Sequence, residues 1–271
     1  MAFADSKGGK IHFRVIDLTP PWATAPDTII FQHGLGIDSD IWSGWFGTLA
    51  GRYRIVLADL RGFGQSSVPA DDHVYSWDEL MDDILAVADA VGAERFHFVG
   101  ESIGGTLGLA LAINHPDRLL TLTAASTAHR GGSVQHVTEW RAFIAKRGME
   151  QWSAVMMDRR FWPDALPTPV YAWFHDVQAR SPLEPLLGLA HMLVETDFTG
   201  DLPRIATPTF LLAADRSPFV PLTVSTEIHH GVPGCEMQVV PRARHGVVCS
   251  HAAICAEAVR GFLGRHARHT I

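Results

Sequence analysis

A serine flanked by glycines, between an apolar strand pattern and an apolar helix pattern, constrains this chain most. Residues 96–100 read FHFVG, and Ser102 follows in the run Gly-Glu-Ser-Ile-Gly-Gly. Small flanking residues suit a sharp turn whose backbone angles are strained. The segment Ile103–Asn114 is apolar nearly all round, which is typical of a buried helix. The pattern predicts a strand, a tight turn that presents the Ser102 hydroxyl, and a helix that begins directly after it.

Strand and helix patterns alternate through most of the chain. A serine at position 76 with Glu79 three residues later forms a capping box, which predicts the start of a helix. The predicted strands are 11–16, 28–32, 54–58, 95–100, 119–124, 209–213 and 236–240, and the predicted helices are 40–50, 77–91, 103–114, 222–230 and 252–266. Such alternation indicates an α/β fold with a mostly parallel sheet and helices on both faces.

The pattern changes between residues 129 and 199. Tryptophan, phenylalanine, methionine and proline concentrate there, and helical periodicity replaces the alternation. We therefore predict a helical cap at 129–199, inserted between the two parts of one core at 1–128 and 200–271.

Composition limits the partners. The chain has 47% hydrophobic and 19% charged residues and a formal net charge of -7, which argues against nucleic acid and anionic membranes as partners. Three cysteines without a CxxC pair indicate a reducing compartment. Apolar runs fall short of the ~20 residues that a membrane span needs. We expect a cytoplasmic protein that acts on a small molecule, with a homodimer as a possible assembly.

A second glycine-containing loop follows the predicted strand 28–32. It reads His-Gly-Leu-Gly at 33–36. A serine nucleophile needs two backbone N–H donors aimed at the developing oxyanion. We assign these donors to Leu35 and Ile103; the alternative is an ordinary glycine turn after a strand.

His245 is the candidate general base. The chain has 15 histidines, but His245 lies in the loop after the last predicted strand and before the last helix. A base in that loop can reach a serine at the end of a central strand. His229 and His230 lack the spacing of a known metal motif, so we expect no metal and no cofactor.

Together these segments resemble the α/β-hydrolase superfamily over essentially the whole chain. The matching pieces are the 33–36 loop, the segment 59–66 (DLRGFGQS), the serine turn and the late histidine. The resemblance implies a nucleophilic Ser102, an acid between Ser102 and His245 in chain order, and a structural role for Asp59 in a turn below the site.

The acid departs from the superfamily pattern. Members usually carry an aspartate four residues before the proline at 221, where this chain has Ser217. Others take the acid from the strand after the nucleophile helix, where residues 124–127 read Ala-Ala-Ser-Thr. We therefore predict that Asp215 orients His245. The alternative is that Asp215 is a solvated loop residue and that a serine or water assists His245.

Aromatic residues of the cap suggest the substrate. We expect Trp140, Phe161, Trp162 and Phe219 to line an apolar pocket that suits an apolar or aromatic substrate. The alternative is that these rings build the cap's own core. Parts of the cap loosely resemble the lid of 3-oxoadipate enol-lactonases, and four arginines could anchor a substrate carboxylate: Arg141, Arg147, Arg159 and Arg160.

The predicted activity is hydrolysis of a carboxylic ester or lactone through an acyl-enzyme on Ser102. A carbon–carbon bond hydrolase of ring-cleavage diketones would use the same residues. A ligand-binding receptor with slow turnover is the alternative from another class, because one fold hosts many functions. A dehalogenase is disfavoured, since it would need an aspartate at position 102.

Overall fold

An eight-stranded sheet forms the centre of the computed structural model, which describes residues 2–23, 25–134 and 137–267. The strands are β1 (Ala2–Ser6), β2 (Gly9–Ile16), β3 (Thr28–Gln32), β4 (Arg54–Ala58), β5 (Phe96–Glu101), β6 (Leu119–Ala125), β7 (Thr209–Ala214) and β8 (Glu236–Val240). Their order in the sheet is β1-β2-β4-β3-β5-β6-β7-β8. The first two strands run antiparallel to their neighbours, and all the later pairs are parallel.

Helices connect the parallel strands. They are α1 (Phe46–Leu49), α2 (Trp77–Ala90), α3 (Ile103–Asn114), α4 (Trp140–Arg160), α5 (Thr168–Ala179), α6 (Leu183–Val194), α7 (Leu222–Gly231), α8 (Val247–Ser250) and α9 (Ala252–Gly264). The predicted start of α2 is confirmed, since the Ser76 side chain accepts a hydrogen bond from the Glu79 N–H, while the Glu79 carboxylate bonds His73 at 2.8 Å.

Two apolar clusters cover the two faces of the sheet. Phe98 belongs to one cluster and Val99 to the other, and both side chains are fully buried. Consecutive strand residues point to opposite faces, so burial of both requires helices on both sides of β5. The predicted fold class, a mostly parallel sheet with helices on both faces, is confirmed.

The predicted elements agree closely with the structure, with two exceptions. The segment 40–50 is a 3₁₀ helix over Ser39–Trp45 that continues into the short α1, rather than one α-helix. The first strand, β1, was not predicted, because a five-residue edge strand with half its side chains in solvent carries little periodic signal.

Three helices, α4, α5 and α6, lie between β6 and β7. Gly148 has φ +81° and interrupts the helical backbone within α4. An isolated bridge between Arg130 and Asp197 joins the two ends of this segment. That residues 129–199 form a cap distinct from the core remains a prediction. Across the described ranges, the helices are too short or too polar to cross a bilayer.

Candidate active site

Ser102 lies at a strained turn between β5 and α3. Its backbone has φ +56° and ψ -122°, a region that residues with a side chain rarely adopt. The Ser102 N–H donates to the Ala125 carbonyl at 2.9 Å, which fixes the turn to β6. A Cβ at Gly104 would lie 2.5 Å from the Gln32 carbonyl oxygen, so only glycine permits this close approach of α3 to β3.

His245 reaches Ser102 from the loop after β8. Its Nε2 atom lies 3.1 Å from Ser102 Oγ, within hydrogen-bond distance. The Ser126 hydroxyl donates to the His245 carbonyl at 2.9 Å and ties the loop to the end of β6. These two sequence-predicted residues, 143 positions apart, are therefore brought together.

The environment keeps His245 uncharged. Burial, together with the nearby Arg160 guanidinium, holds the pKa of His245 well below its ordinary 6.5. A neutral imidazole can accept the hydroxyl proton of Ser102 at neutral pH, as a general base must.

Ser217, and not Asp215, is the partner of the other ring nitrogen of His245. Ser217 Oγ lies 3.1 Å from His245 Nδ1 and also accepts a hydrogen bond from the Val220 N–H. With a proton on Nδ1 donated to Ser217, Nε2 is free to accept the proton of Ser102.

The expectation that Asp215 orients His245 is corrected by this geometry. The Asp215 carboxylate accepts a hydrogen bond from the Ala243 N–H at 3.0 Å and lies beside Arg216. Through this bond it fixes the backbone of the loop that carries His245.

Asp215→Asn is expected to change kcat/KM for p-nitrophenyl acetate by less than about threefold, because the amide oxygen can still accept from Ala243. Steady-state kinetics at pH 8 measure it. A loss of 100-fold or more would restore Asp215 to the role of the acid.

His33 positions one of the predicted oxyanion donors. Its Nδ1 donates to the Gly34 carbonyl at 2.8 Å, and its Nε2 accepts from the Leu60 N–H at 2.9 Å. Both bonds require a neutral ring, and burial lowers the pKa of His33 accordingly. The peptide between Gly34 and Leu35 is thereby held with its carbonyl toward His33, which directs the Leu35 N–H to the opposite side.

A small apolar cavity adjoins Ser102. Its volume is about 20 Å³, close to the space that one water molecule occupies. Of the predicted pocket residues, Trp140 and Phe219 line it, as does Leu35. Phe161 packs instead against Phe174, with ring centroids 5.0 Å apart. Trp162 is 41% exposed and lies under the Arg244 guanidinium, so it belongs to the surface.

Arg160 is the cation of this site. Its side chain lines the cavity and is 3% exposed, while Arg141 is exposed and paired with Glu184. Arg160 donates from Nη2 to the Leu35 carbonyl at 2.8 Å and from Nε to Gln178 at 3.0 Å. The described ranges contain no cluster of three metal-ligating side chains.

Comparison with known proteins decides the family. A family model described as the alpha/beta hydrolase fold matches residues 27–252. The chain belongs to the α/β-hydrolase family. It is 30% identical over 262 residues to a putative carbamate hydrolase RutD of a Caulobacter species, covering 90% of this chain and 93% of that one. It is 28% identical to 3-oxoadipate enol-lactonase 2 of Acinetobacter baylyi, over 70% and 71% of the two chains.

Solved structures of α/β-hydrolases agree with the fold. A hydrolase of Pseudomonas aeruginosa superposes with a TM-score of 0.86 at 26% identity, over 97% of this chain and 98% of that one. The enol-lactonase of Burkholderia xenovorans gives 0.87 at 24% identity, over 97% and 100%. The protein is thus a hydrolase of this family, loosely similar to enol-lactonases, and its substrate is a separate question.

Two residues of the site had no predicted role. One is His33, whose signal was its position at the start of the glycine loop. The other is Glu101, a carboxylate at the end of an otherwise apolar strand and directly before Ser102. Its side chain is fully buried.

Proposed function

We propose that this α/β-hydrolase cleaves a small carboxylic ester or lactone through an acyl-enzyme on Ser102. The observation that supports it most is the 3.1 Å contact of Ser102 Oγ with His245 Nε2 at the wall of a small, mostly apolar cavity. A hydroxyl paired with a neutral imidazole is the arrangement that nucleophilic catalysis requires.

In the acylation step, Ser102 attacks the carbonyl carbon while His245 takes the hydroxyl proton. The negative charge that develops on the carbonyl oxygen is held by the N–H groups of Leu35 and Ile103. Ile103 begins α3, where the first amides have no partner within the helix and the helix dipole favours negative charge. His245 then gives its proton to the departing alcohol oxygen.

In the deacylation step, water takes the place of the alcohol. His245 removes a proton from that water as it attacks the acyl carbon, and the proton passes to Ser102 Oγ as the acyl–oxygen bond breaks. The acid is released, and the starting state of both residues returns. Where the groups that surround the reacting atoms are buried, as His245 is, these charges are stabilised more strongly than in water.

The cavity limits the acyl group. Its volume is about 20 Å³ and its walls include Trp140, Phe219 and Val220, so we expect it to favour a short acyl chain. The enol-lactonase and carbamate hydrolase relatives point to lactones and carbamates as further substrates of the same chemistry. A carbamate carbonyl would be attacked in the same way.

We expect kcat/KM for p-nitrophenyl acetate to exceed that for the butyrate by at least about tenfold, since each added methylene must displace packed aromatic side chains. Stopped-flow absorbance measures both, with a burst of p-nitrophenol as the sign of the acyl-enzyme. Equal rates for acetate and butyrate would show that the small cavity does not set the acyl preference.

A ligand-binding receptor with slow turnover is the second candidate function. The Nδ1 partner of His245 is the neutral Ser217 hydroxyl rather than a carboxylate, and this weakens the stabilisation of a charged His245. The two functions differ in what happens after binding. A receptor binds its ligand stoichiometrically without a burst, whereas the proposed hydrolase releases p-nitrophenol in a burst followed by steady turnover.

A further inference from the structure

Glu101 is the last residue of β5 and precedes Ser102 in the chain. Its side chain has no exposed surface, although a charged group is rarely buried without a partner. Within the described ranges, no side chain donates a hydrogen bond to either of its carboxylate oxygens, and the Gly34 N–H is the backbone donor beside them. A buried carboxylate of this kind, one residue from the reacting serine, requires an explanation.

The Glu101 carboxylate lies against the catalytic pair. Its Oε1 atom is 3.8 Å from His245 Nε2 and 4.0 Å from Arg160 Nη1. Its Oε2 atom lies so close to Gly34 that a Cβ there would collide with it. Glu101 therefore lies within ion-pair distance of the His245 ring nitrogen that receives the Ser102 proton.

Four elements present groups to Glu101. Arg160 faces it from α4, His245 from the loop after β8, the backbone of Gly34 from the loop after β3, and Cys249 from α8. Burial, with a further contribution from Glu101, raises the pKa of the Cys249 thiol to about 12, so that group is neutral. The groups near Glu101 that can carry positive charge are thus Arg160 and His245.

The proposed reaction requires a negative charge near His245. When His245 accepts the Ser102 proton, it becomes a cation in a buried site that already holds the Arg160 guanidinium. Superfamily members offset that charge with a carboxylate on the Nδ1 side of the histidine. Here the Nδ1 partner is the neutral hydroxyl of Ser217, so the compensating charge must come from elsewhere.

We propose that ionised Glu101 supplies this charge: it offsets Arg160 and stabilises the His245 imidazolium, and so replaces the carboxylate absent at position 217. This inference rests on the proposed hydrolase function. Glu101 acts through His245 and is a positioning residue rather than a catalytic one. A purely structural role, as the buried partner of Arg160, would instead affect folding stability alone.

The proposal predicts a pH dependence. Burial raises the pKa of the Glu101 carboxyl to about 7, against the opposing effects of Arg160 and the Gly34 N–H. As the pH falls through about 7, Glu101 gains a proton and the imidazolium loses its counter-charge. Activity therefore falls with it, while His245 itself, with its much lower pKa, is still neutral and able to act as base.

The test is kcat/KM for p-nitrophenyl acetate from pH 5 to 8.5 in the wild type and in the variants Glu101→Gln, Ser217→Asp and the double variant. Asp215→Asn is the matched control, since it also neutralises one carboxylate near the site. We expect Glu101→Gln to lose at least about 100-fold at pH 8 and to lose the transition near pH 7, by analogy with removal of a triad acid. The double variant regains at least about tenfold, because it restores a carboxylate beside Nδ1.

Thermal unfolding followed by circular dichroism shows whether the Glu101→Gln variant folds. If it does not fold, the Ser217→Asp variant tests the proposal instead. It keeps Glu101 and adds a second counter-charge, so its activity at pH 6 rises toward that at pH 8. If the ratio of kcat/KM at pH 6 to kcat/KM at pH 8 is the same in Ser217→Asp as in the wild type, the proposal is contradicted.

Other outcomes separate this inference from the proposed function. If Glu101→Gln retains the wild-type rate and pH profile while Ser102 is still acylated, the role of Glu101 is refuted and the hydrolase stands. If the wild-type protein shows no acylation of Ser102 and no turnover, both proposals fall.

Discussion

Ser102→Ala is expected to lower kcat for p-nitrophenyl acetate by at least about 10⁴-fold and to remove the burst of product. The methyl side chain cannot attack the carbonyl, so no acyl-enzyme forms, and what remains is the effect of binding beside the oxyanion donors. Folding stability should change little, because the substitution deletes one oxygen atom at a position where the backbone is already strained.

The matched control for this loss is Ser43→Ala, which removes a hydroxyl from an exposed serine. Its activity should equal that of the wild type. A Ser102→Ala variant that still gives a burst would show that another group is acylated and would refute the proposed mechanism.

His245→Ala is expected to cost nearly as much as Ser102→Ala, at least about 10³-fold in kcat. Without the base, the hydroxyl must lose its proton to water in a cavity that admits little water. The double variant should be no slower than the worse single variant, because the two side chains act as one unit and their effects are not additive.

His230, an exposed histidine of α7, provides the control for His245. His230→Ala should leave kcat within about twofold of the wild type. If the loss in kcat of the Ser102→Ala/His245→Ala variant equals the product of the two single losses, the two residues act independently, contrary to their 3.1 Å contact.

The fold was largely predictable because its signals are local. Each parallel strand is a short apolar run, and the strands 28–32, 54–58 and 236–240 were predicted with the bounds that the structure gives them. Strands β3 and β4 are buried on both faces, so these two runs are mostly apolar and stand out in the sequence, whereas β8 is partly exposed. The segment 39–50 was harder, since a 3₁₀ helix and an α-helix place apolar residues at similar spacings.

The serine and the histidine were predictable because a required backbone geometry marks each of them. Close packing of α3 against β3 demands glycine at position 104, and the base must follow the last strand. The partner of His245 was not predictable in this way. Whether position 215 or 217 faces the ring depends on how the loop after β7 turns, and the Ala243 N–H directs Asp215 away from His245.

The pocket residues show the same limit. All four predicted rings come from the segment 129–199 and the loop after β7, yet Trp140 and Phe219 line the cavity while Phe161 and Trp162 do not. Neighbours in sequence at the end of α4 face different surroundings, and helical periodicity cannot fix which one faces Ser102 once the helix has ended at Arg160.

The most direct test of the central claim is covalent labelling with methanesulfonyl fluoride, whose one-carbon group matches the small cavity. Intact-mass spectrometry of the wild type, Ser102→Ala and His245→Ala, followed by peptide mapping, measures how many groups attach and where. We predict one sulfonyl group per chain on Ser102, much slower labelling in His245→Ala and none in Ser102→Ala. Equal labelling of all three proteins, or attachment at another residue, would contradict it.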